Sequence, residues 1–156
     1  SALVSCRSGA ICDSRGMATV FAHVDVTIER TGGGRYTATN GRGGQIAMGT
    51  DGADFTPVEL LLAAIGGCTG IDVDIVTSRR AEPERFEVQV SADKVRDESG
   101  NRLADVQVTF RIAFPAGDPG DQARTVLPVI AGKSHDRLCT VSRTIELGTP
   151  VSIRID

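Results

Sequence analysis

Alternating apolar and polar residues predict a group of β-strands in the first third of the chain. Residues 17–30 predict one half-buried strand, because the alternate positions 20, 22, 24, 26 and 28 are apolar. Two shorter strands are predicted at residues 35–39 and 45–48. The glycine-rich segment between them, Asn40–Gly44, contains an Asn-Gly step, which is a strong signal for a tight hairpin turn.

The same alternation returns twice in the second half of the chain. Residues 85–94 and 104–114 alternate around a polar turn, which predicts a second antiparallel hairpin. A last strand is predicted from three apolar residues near the end of the chain, Val151, Ile153 and Ile155.

The clearest helix signal lies between these two groups of strands. Thr56 is a suitable N-cap, Pro57 suits the first helical position, and Glu59 completes a capping box. The predicted helix runs to about residue 80, and residues 60–71 are apolar or small on every side. We therefore expect a helix buried all round, at the centre of the fold or at a subunit interface.

Two further helices complete the predicted architecture. One begins at Asp118 and contains Pro128, and a shorter one follows a loop and ends at Gly148. The order of elements predicts a single α+β domain, with the helices packed on one face of an antiparallel sheet.

Composition and charge narrow the class of protein. The chain has 156 residues, 40% hydrophobic and 24% charged, with a formal net charge of −3, which is typical of a folded domain without the basic surplus of nucleic-acid binders. The longest uncharged stretch after Glu59, residues 60–71, is too short to cross a bilayer, so no membrane association is expected. Residues 1–16 do not resemble a secretory signal, and we expect a cytoplasmic protein with reduced cysteines.

The four cysteines, at positions 6, 12, 68 and 139, are the main candidates for chemistry. They form no C-x-x-C pair and there are only two histidines, so neither a structural zinc site nor another cofactor is expected. Cys68 lies among three glycines of the long helix, which indicates close approach of another helix or of a substrate, or a small core residue. Cys139 begins a short helix, a position that favours a thiolate, although it also suits a buried packing residue. Together they suggest a dithiol that cycles.

Two segments resemble the OsmC/Ohr family of osmotically induced protein C and organic hydroperoxide resistance proteins. They are residues 56–68, TPVELLLAAIGGC, and the pattern S-H-x-x-x-C-x-x-S at residues 134–142. The resemblance covers residues 17–156 and is greatest to the broader OsmC-like branch. Residues 1–16, with Cys6 and Cys12, form an N-terminal arm outside it.

The resemblance implies an OsmC-like α+β fold with antiparallel sheets, a long buried central helix and an intertwined homodimer whose active sites lie at the interface. It also implies thiol-dependent reduction of organic hydroperoxides in oxidative-stress defence. Cys68 would attack the peroxide, become a sulfenic acid and form a disulfide with Cys139. Arg42, within the family's G-R-x-G pattern, would hold Cys68 as a thiolate, and an external dithiol would supply the electrons.

This sequence departs from the hydroperoxide-resistance branch at two positions. Val58 stands where that branch has a carboxylate directly after Pro, and Thr140 stands where it has Pro. Glu59 is one residue later, on the side of an ideal helix opposite Cys68, so it is interpreted either as a catalytic carboxylate or as part of the capping box.

The departures leave alternatives to the peroxidase open. Arg42 is interpreted either as the residue that holds the thiolate or as a solvated hairpin arginine. For the chain as a whole, two alternatives to the peroxidase stay open. One is a small-molecule-binding or redox-sensing protein of the same fold with little turnover, and the other is a structural dimer in which both cysteines are packing residues.

Overall fold

The computed structural model of the chain describes residues 4–5, 10–13 and 16–156, and it divides into two compact units, Ser1–Thr56 and Pro57–Asp156. Of the predicted N-terminal arm, Cys6 lies outside the described residues, and Cys12 is described only by its backbone in a strand.

The first unit consists of two antiparallel three-stranded sheets, with the strands in chain order in each. One sheet contains β1 (Val4–Ser5), β2 (Ala10–Asp13) and β3 (Gly16–Thr19). The other contains β4 (Val26–Gly32), β5 (Arg35–Asn40) and β6 (Gln45–Gly49). The predicted hairpin between β5 and β6 is confirmed. The Asn40 side chain holds its turn by accepting hydrogen bonds from the amides of Arg42 and Gly44, at 2.9 and 3.0 Å.

The prediction of one continuous strand over residues 17–30 is wrong. β3 ends at Thr19 and β4 begins at Val26, and the segment between them is not a strand. Val20 and Val24 are 56% and 85% exposed. Alternation shows which side chains would share a face, but a strand also needs a neighbour to bury that face, and none is provided here within the described chain.

The second unit begins with helix α1 (Pro57–Thr77), followed by strands β7 (Arg85–Asp97) and β8 (Gly100–Ala113). Helix α2 (Asp118–Lys133), a π-helical turn (Ser134–Leu138) and helix α3 (Thr140–Glu146) complete it. The predicted antiparallel hairpin is confirmed, with longer strands and a tighter turn than expected. α1 begins at Pro57 as predicted and ends three residues before residue 80.

Glycines let α1 lie directly on the hairpin. A Cβ at Gly66 would come within 2.5 Å of Val90 Cγ2, and one at Gly70 would lie 3.3 Å from Val88 Cγ2. Gly67, between them, has no such neighbour within 4 Å. At Gly66 and Gly70 the predicted close approach is therefore made by strand β7.

Burial of α1 on every side is not found within one chain. Its inner face contains Ile65, Thr69 and Val73, whereas Leu61, Ile71 and Ile75 on the other side are 40%, 62% and 48% exposed. By length and mean hydropathy α1 is also the one helix of the described chain that passes as a candidate membrane span. The core helix of a soluble protein can pass the same test. In this structure α1 packs on β7 and α2, and it contains two aspartates in its second half.

The predicted last strand is also wrong for the single chain. Residues 149–156 form no strand after α3, and Val151, Ile153 and Ile155 are 91%, 88% and 92% exposed. The alternation that predicted this strand is real, but the described chain offers this segment no sheet edge. Several exposed apolar residues thus lie along a segment whose backbone pairs with no strand of the described chain.

Candidate active site: two thiols at the start of helix α3

Cys68 is placed by the helix that carries it. It lies in the middle of α1, next to the glycines that press this helix against β7, and its side chain is half-buried. Because β7 fixes the neighbouring turn of α1 through Gly66 and Gly70, the direction in which Cys68 points is set by packing.

Cys139 lies between the π-helical turn and α3, and it is fully buried. It is the N-cap of α3, and its sulfur accepts a hydrogen bond from the Ser142 amide at 3.4 Å and lies 3.3 Å from the Ser142 hydroxyl. Its own amide donates to the Ser134 carbonyl at 2.8 Å. Backbone contacts on both sides therefore fix Cys139.

The two thiols meet although they are far apart in the sequence. The side chains of Cys68 and Cys139 lie close enough for each to shift the pKa of the other, and the Val141 amide in the first turn of α3 acts to lower the pKa of Cys68. The first turn of α3 thus acts on both sulfurs: the Ser142 amide donates to Cys139, and the Val141 amide favours the thiolate of Cys68.

These contacts move the two pKa values in opposite directions. Burial raises the pKa of Cys68, and its hydrogen bond to Cys139, the negative charge of Cys139 and that of Asp72 raise it further, against the Val141 amide, which lowers it. Burial also raises the pKa of Cys139, but hydrogen bonds from Cys68, Ser142 and Thr69 outweigh burial and lower it. Within this unit a negative charge is therefore favoured on Cys139 over Cys68.

A second contact joins the same two segments. The Ser134 hydroxyl donates a hydrogen bond of 2.7 Å to Asp72 Oδ2, and Ser134 is fully buried. Asp72 lies one helical turn after Cys68 on α1, and Ser134 begins the π-helical turn before Cys139. In the sequence Asp72 indicates only where α1 emerges from the core. Its spacing of four residues from Cys68 was the available signal that it shares the Cys68 face.

The other two predicted catalytic residues lie away from the thiols or in the other unit. Arg42 is exposed in the turn between β5 and β6, in the Ser1–Thr56 unit, and its catalytic role stays a prediction. Glu59 lies in the first turn of α1. Because α1 is unbroken, Glu59 and Cys68 are separated by half a turn of rotation and about 13 Å along the helix axis. Within one chain the structure does not bring Glu59 to the thiol pair.

The arrangement suits thiol chemistry. In the described part of the chain, no group of three or more His, Cys, Asp or Glu side chains is placed to hold a metal ion. What the site offers is one accessible sulfur, one buried sulfur in contact with it, and backbone amides directed at both. Such a pair can pass between dithiol and disulfide.

The fold and the thiol pair together define an α+β protein with two neighbouring cysteines at its candidate site. Comparison with known proteins identifies the family. The family model described as OsmC-like protein matches residues 49–154. An uncharacterized protein of Mycobacterium tuberculosis is 31% identical over 130 residues, which are 82% of this chain and 93% of that protein. The chain belongs to the OsmC-like family, as the sequence motifs predicted.

Solved structures share the fold at low sequence identity. An OsmC-like protein of unknown function from Vibrio cholerae has a TM-score of 0.65 and 14% identity, covering 81% of this chain and 95% of that one. An organic hydroperoxide resistance protein OsmC from Legionella pneumophila has a TM-score of 0.55 and 16% identity, covering 81% and 91%. The predicted α+β fold with antiparallel strands is confirmed.

Proposed function

We propose that this protein is a cysteine-based peroxidase that reduces organic hydroperoxides through a disulfide between Cys68 and Cys139. The observation that carries the proposal is the contact between an accessible and a buried thiol at the start of α3. Family membership supports it, because one relative in fold is named for organic hydroperoxide resistance.

Accessibility assigns the first step to Cys68. Cys68 is half-buried, whereas Cys139 has no exposed surface, so Cys68 is the thiol that we expect a peroxide to meet first. The Cys68 thiolate attacks the outer oxygen of the hydroperoxide. A sulfur–oxygen bond forms, the O–O bond breaks, and the organic fragment leaves as an alcohol after taking a proton. Cys68 has then lost two electrons and is a sulfenic acid.

The second step uses the contact between the two sulfurs. The Cys139 thiolate attacks the Cys68 sulfur, the sulfur–oxygen bond breaks, and the hydroxyl leaves as water after protonation. The product is the Cys68–Cys139 disulfide. The lowered pKa of Cys139 favours this step, because the attacking sulfur must be a thiolate. An external dithiol then returns both cysteines to thiols.

The first step requires a cation that the Pro57–Asp156 unit does not direct at Cys68. Burial and the neighbouring Cys139 raise the pKa of this sulfur most strongly, the Asp72 charge adds to them, and the Val141 amide acts in the opposite direction. We propose Arg42 for this role, because a guanidinium beside the sulfur would favour the thiolate. Glu59 is proposed to act on Arg42 and not on Cys68, since its place on α1 is remote from the thiol.

We also propose that the working molecule is a homodimer. A second copy would cover two exposed apolar surfaces. One is the outer face of α1, with Leu61, Ile71 and Ile75, and the other is the C-terminal segment, with Val151, Ile153 and Ile155. The active sites would then lie at the interface. Because the cycle starts from two reduced thiols, we place it in the cytoplasm, with neither nucleic acid nor membrane as a partner.

A second function, redox sensing or small-molecule binding with little turnover, is favoured by the raised pKa of Cys68. A thiol that stays protonated at neutral pH attacks peroxide slowly. Such a protein would still form the disulfide, but it would not be recycled rapidly by a dithiol. The two functions therefore differ in steady-state turnover.

The test is to treat reduced protein with one equivalent of tert-butyl hydroperoxide and map the thiols by peptide mass. We expect a Cys68–Cys139 disulfide within seconds, its loss in Cys68→Ser, a trapped sulfenic acid in Cys139→Ser, and no change in the control Cys12→Ser. Sustained peroxide consumption with dithiothreitol supports the peroxidase, whereas a single turnover supports the sensor. If Cys68 and Cys139 stay free while Cys6 or Cys12 oxidises, both are wrong.

A further inference from the structure

The contact between Asp72 and Ser134 has no part in the thiol chemistry described so far. Ser134 is fully buried, and its hydroxyl donates to an Asp72 carboxylate oxygen at 2.7 Å. Pairing a buried hydroxyl with a carboxylate is favourable only when the geometry satisfies both groups. The contact also bridges residues that are remote in the sequence, so it constrains the tertiary structure at this point.

Ser134 links this carboxylate to Cys139 through its own backbone. Its carbonyl accepts the Cys139 amide at 2.8 Å, while its hydroxyl is bonded to Asp72. Asp72 in turn lies on α1 one turn after Cys68. Ser134 therefore connects the helix that carries Cys68 to the backbone of Cys139 through two hydrogen bonds.

We propose that Asp72 and Ser134 are positioning residues for the thiol pair: their hydrogen bond holds the Cys139 turn against α1. The Asp72 carboxylate, one helical turn from Cys68, also acts on that thiol through its negative charge. The inference rests on the proposed function for its biological role, but the positioning itself concerns only the two thiols. Neither residue touches the sulfurs' reaction partner, so neither is a catalytic residue.

The surroundings of Cys68 agree with the electrostatic part. From α3 it faces Cys139 and the Val141 amide, from its own helix it faces Asp72, and β7 presents the apolar side chains of Val88 and Val90 to the neighbouring glycine. Cys139 and Asp72 both raise the pKa of Cys68. Removing the Asp72 charge should therefore make the Cys68 thiolate easier to form.

Two variants separate the charge from the hydrogen bond. Asp72→Asn removes the charge but keeps an amide oxygen that can accept from Ser134. Ser134→Ala removes the donor and keeps the charge. Asp74→Asn is the matched control, because Asp74 is an exposed aspartate two residues further along the same helix.

Two readouts on the full chain keep this test independent of peroxidase activity. The pH dependence of Cys68 alkylation by iodoacetamide, followed by peptide mass, reports the thiolate. The rate at which diamide closes the Cys68–Cys139 disulfide reports the positioning, because diamide itself is reduced to the hydrazine as the two thiols are oxidised. A chain that shows no activity with peroxide can therefore still show the positioning.

In Asp72→Asn we expect the alkylation midpoint to move to lower pH, with disulfide closure near the wild-type rate. In Ser134→Ala we expect closure to slow by about ten-fold, the rate equivalent of one charge-assisted hydrogen bond, without a downward shift of the midpoint. Circular dichroism verifies the fold, and if Ser134→Ala does not fold, the Asp72→Asn shift alone decides. Equal midpoints for Asp72→Asn and Asp74→Asn, or wild-type closure in folded Ser134→Ala, overturn the proposal.

Discussion

Replacing Gly66 by alanine tests whether α1 packs on the β7–β8 hairpin as closely as the structure indicates. A Cβ at this position would lie 2.5 Å from Val90 Cγ2 and 3.4 Å from Val88 Cγ1. Both neighbours are valines, whose side chains have little rotational freedom, so the strain cannot be relieved by a flexible side chain moving aside. Either α1 must shift outward or the strand must yield.

The neighbouring Gly67 provides the matched control. An added Cβ at Gly67 meets nothing within 4 Å. Both substitutions gain the helix propensity of alanine over glycine, about 0.8–1 kcal/mol. Only Gly66→Ala also pays an overpacking cost of about 1–3 kcal/mol. The free energies of unfolding of the two variants should therefore differ by roughly 1–3 kcal/mol, with Gly67→Ala the more stable.

The assay is chemical and thermal unfolding of both variants and the wild type, each at two protein concentrations. A difference of 2 kcal/mol corresponds to roughly 4–8 °C in Tm for a chain of this size. The second concentration matters because a dimer that covers Gly67 would make stability depend on concentration. Equal stability of Gly66→Ala and Gly67→Ala would refute the packing of α1 described above.

Three further outcomes follow from the site and its surroundings. Cys139→Ala should move the alkylation midpoint of Cys68 to lower pH, because the hydrogen bond and the charge that raise the pKa of Cys68 both come from Cys139; an unchanged midpoint would contradict their contact. Arg42→Gln should slow oxidation of Cys68 by on the order of ten-fold with little effect on Tm, while the control Arg30→Gln should change neither the oxidation rate nor Tm. Equal oxidation rates for the two variants would remove Arg42 from the mechanism. Ile71→Glu should yield monomers in sedimentation, whereas Val106→Glu on the hairpin should not; the same mass for both would place the interface elsewhere.

Local signals in the sequence were sufficient for much of the fold. Thr56 and Pro57 located the start of α1, and the Asn40–Gly44 turn and the polar turn after residue 94 located both hairpins. Each of these features is determined by residues close together in the chain. The same kind of signal placed Cys68 within α1 and Cys139 at the start of α3.

The remaining predictions depended on partners that the sequence does not specify. The alternation at residues 20–25 and 151–155 indicates strands, but only a neighbouring strand turns alternation into a sheet. Because α1 is apolar on all sides, its sequence similarly does not predict which side packs on β7 and which side remains exposed. Ser134 is the first residue of the family pattern at residues 134–142, but the pattern does not indicate its contact with Asp72, which only the tertiary structure creates.

The two amides at the start of α3 bear on how readily the oxidised protein returns to its resting state. The Val141 and Ser142 amides each serve one sulfur of the dithiol, where an anion can accept them. A disulfide sulfur carries no charge and is a much weaker acceptor, so these donors stabilise the reduced form selectively. Every ~1.4 kcal/mol of such selectivity makes the reduction potential about 30 mV more oxidising. A mild dithiol would then suffice to reopen the bond, and the chain would remain a dithiol between encounters with an oxidant.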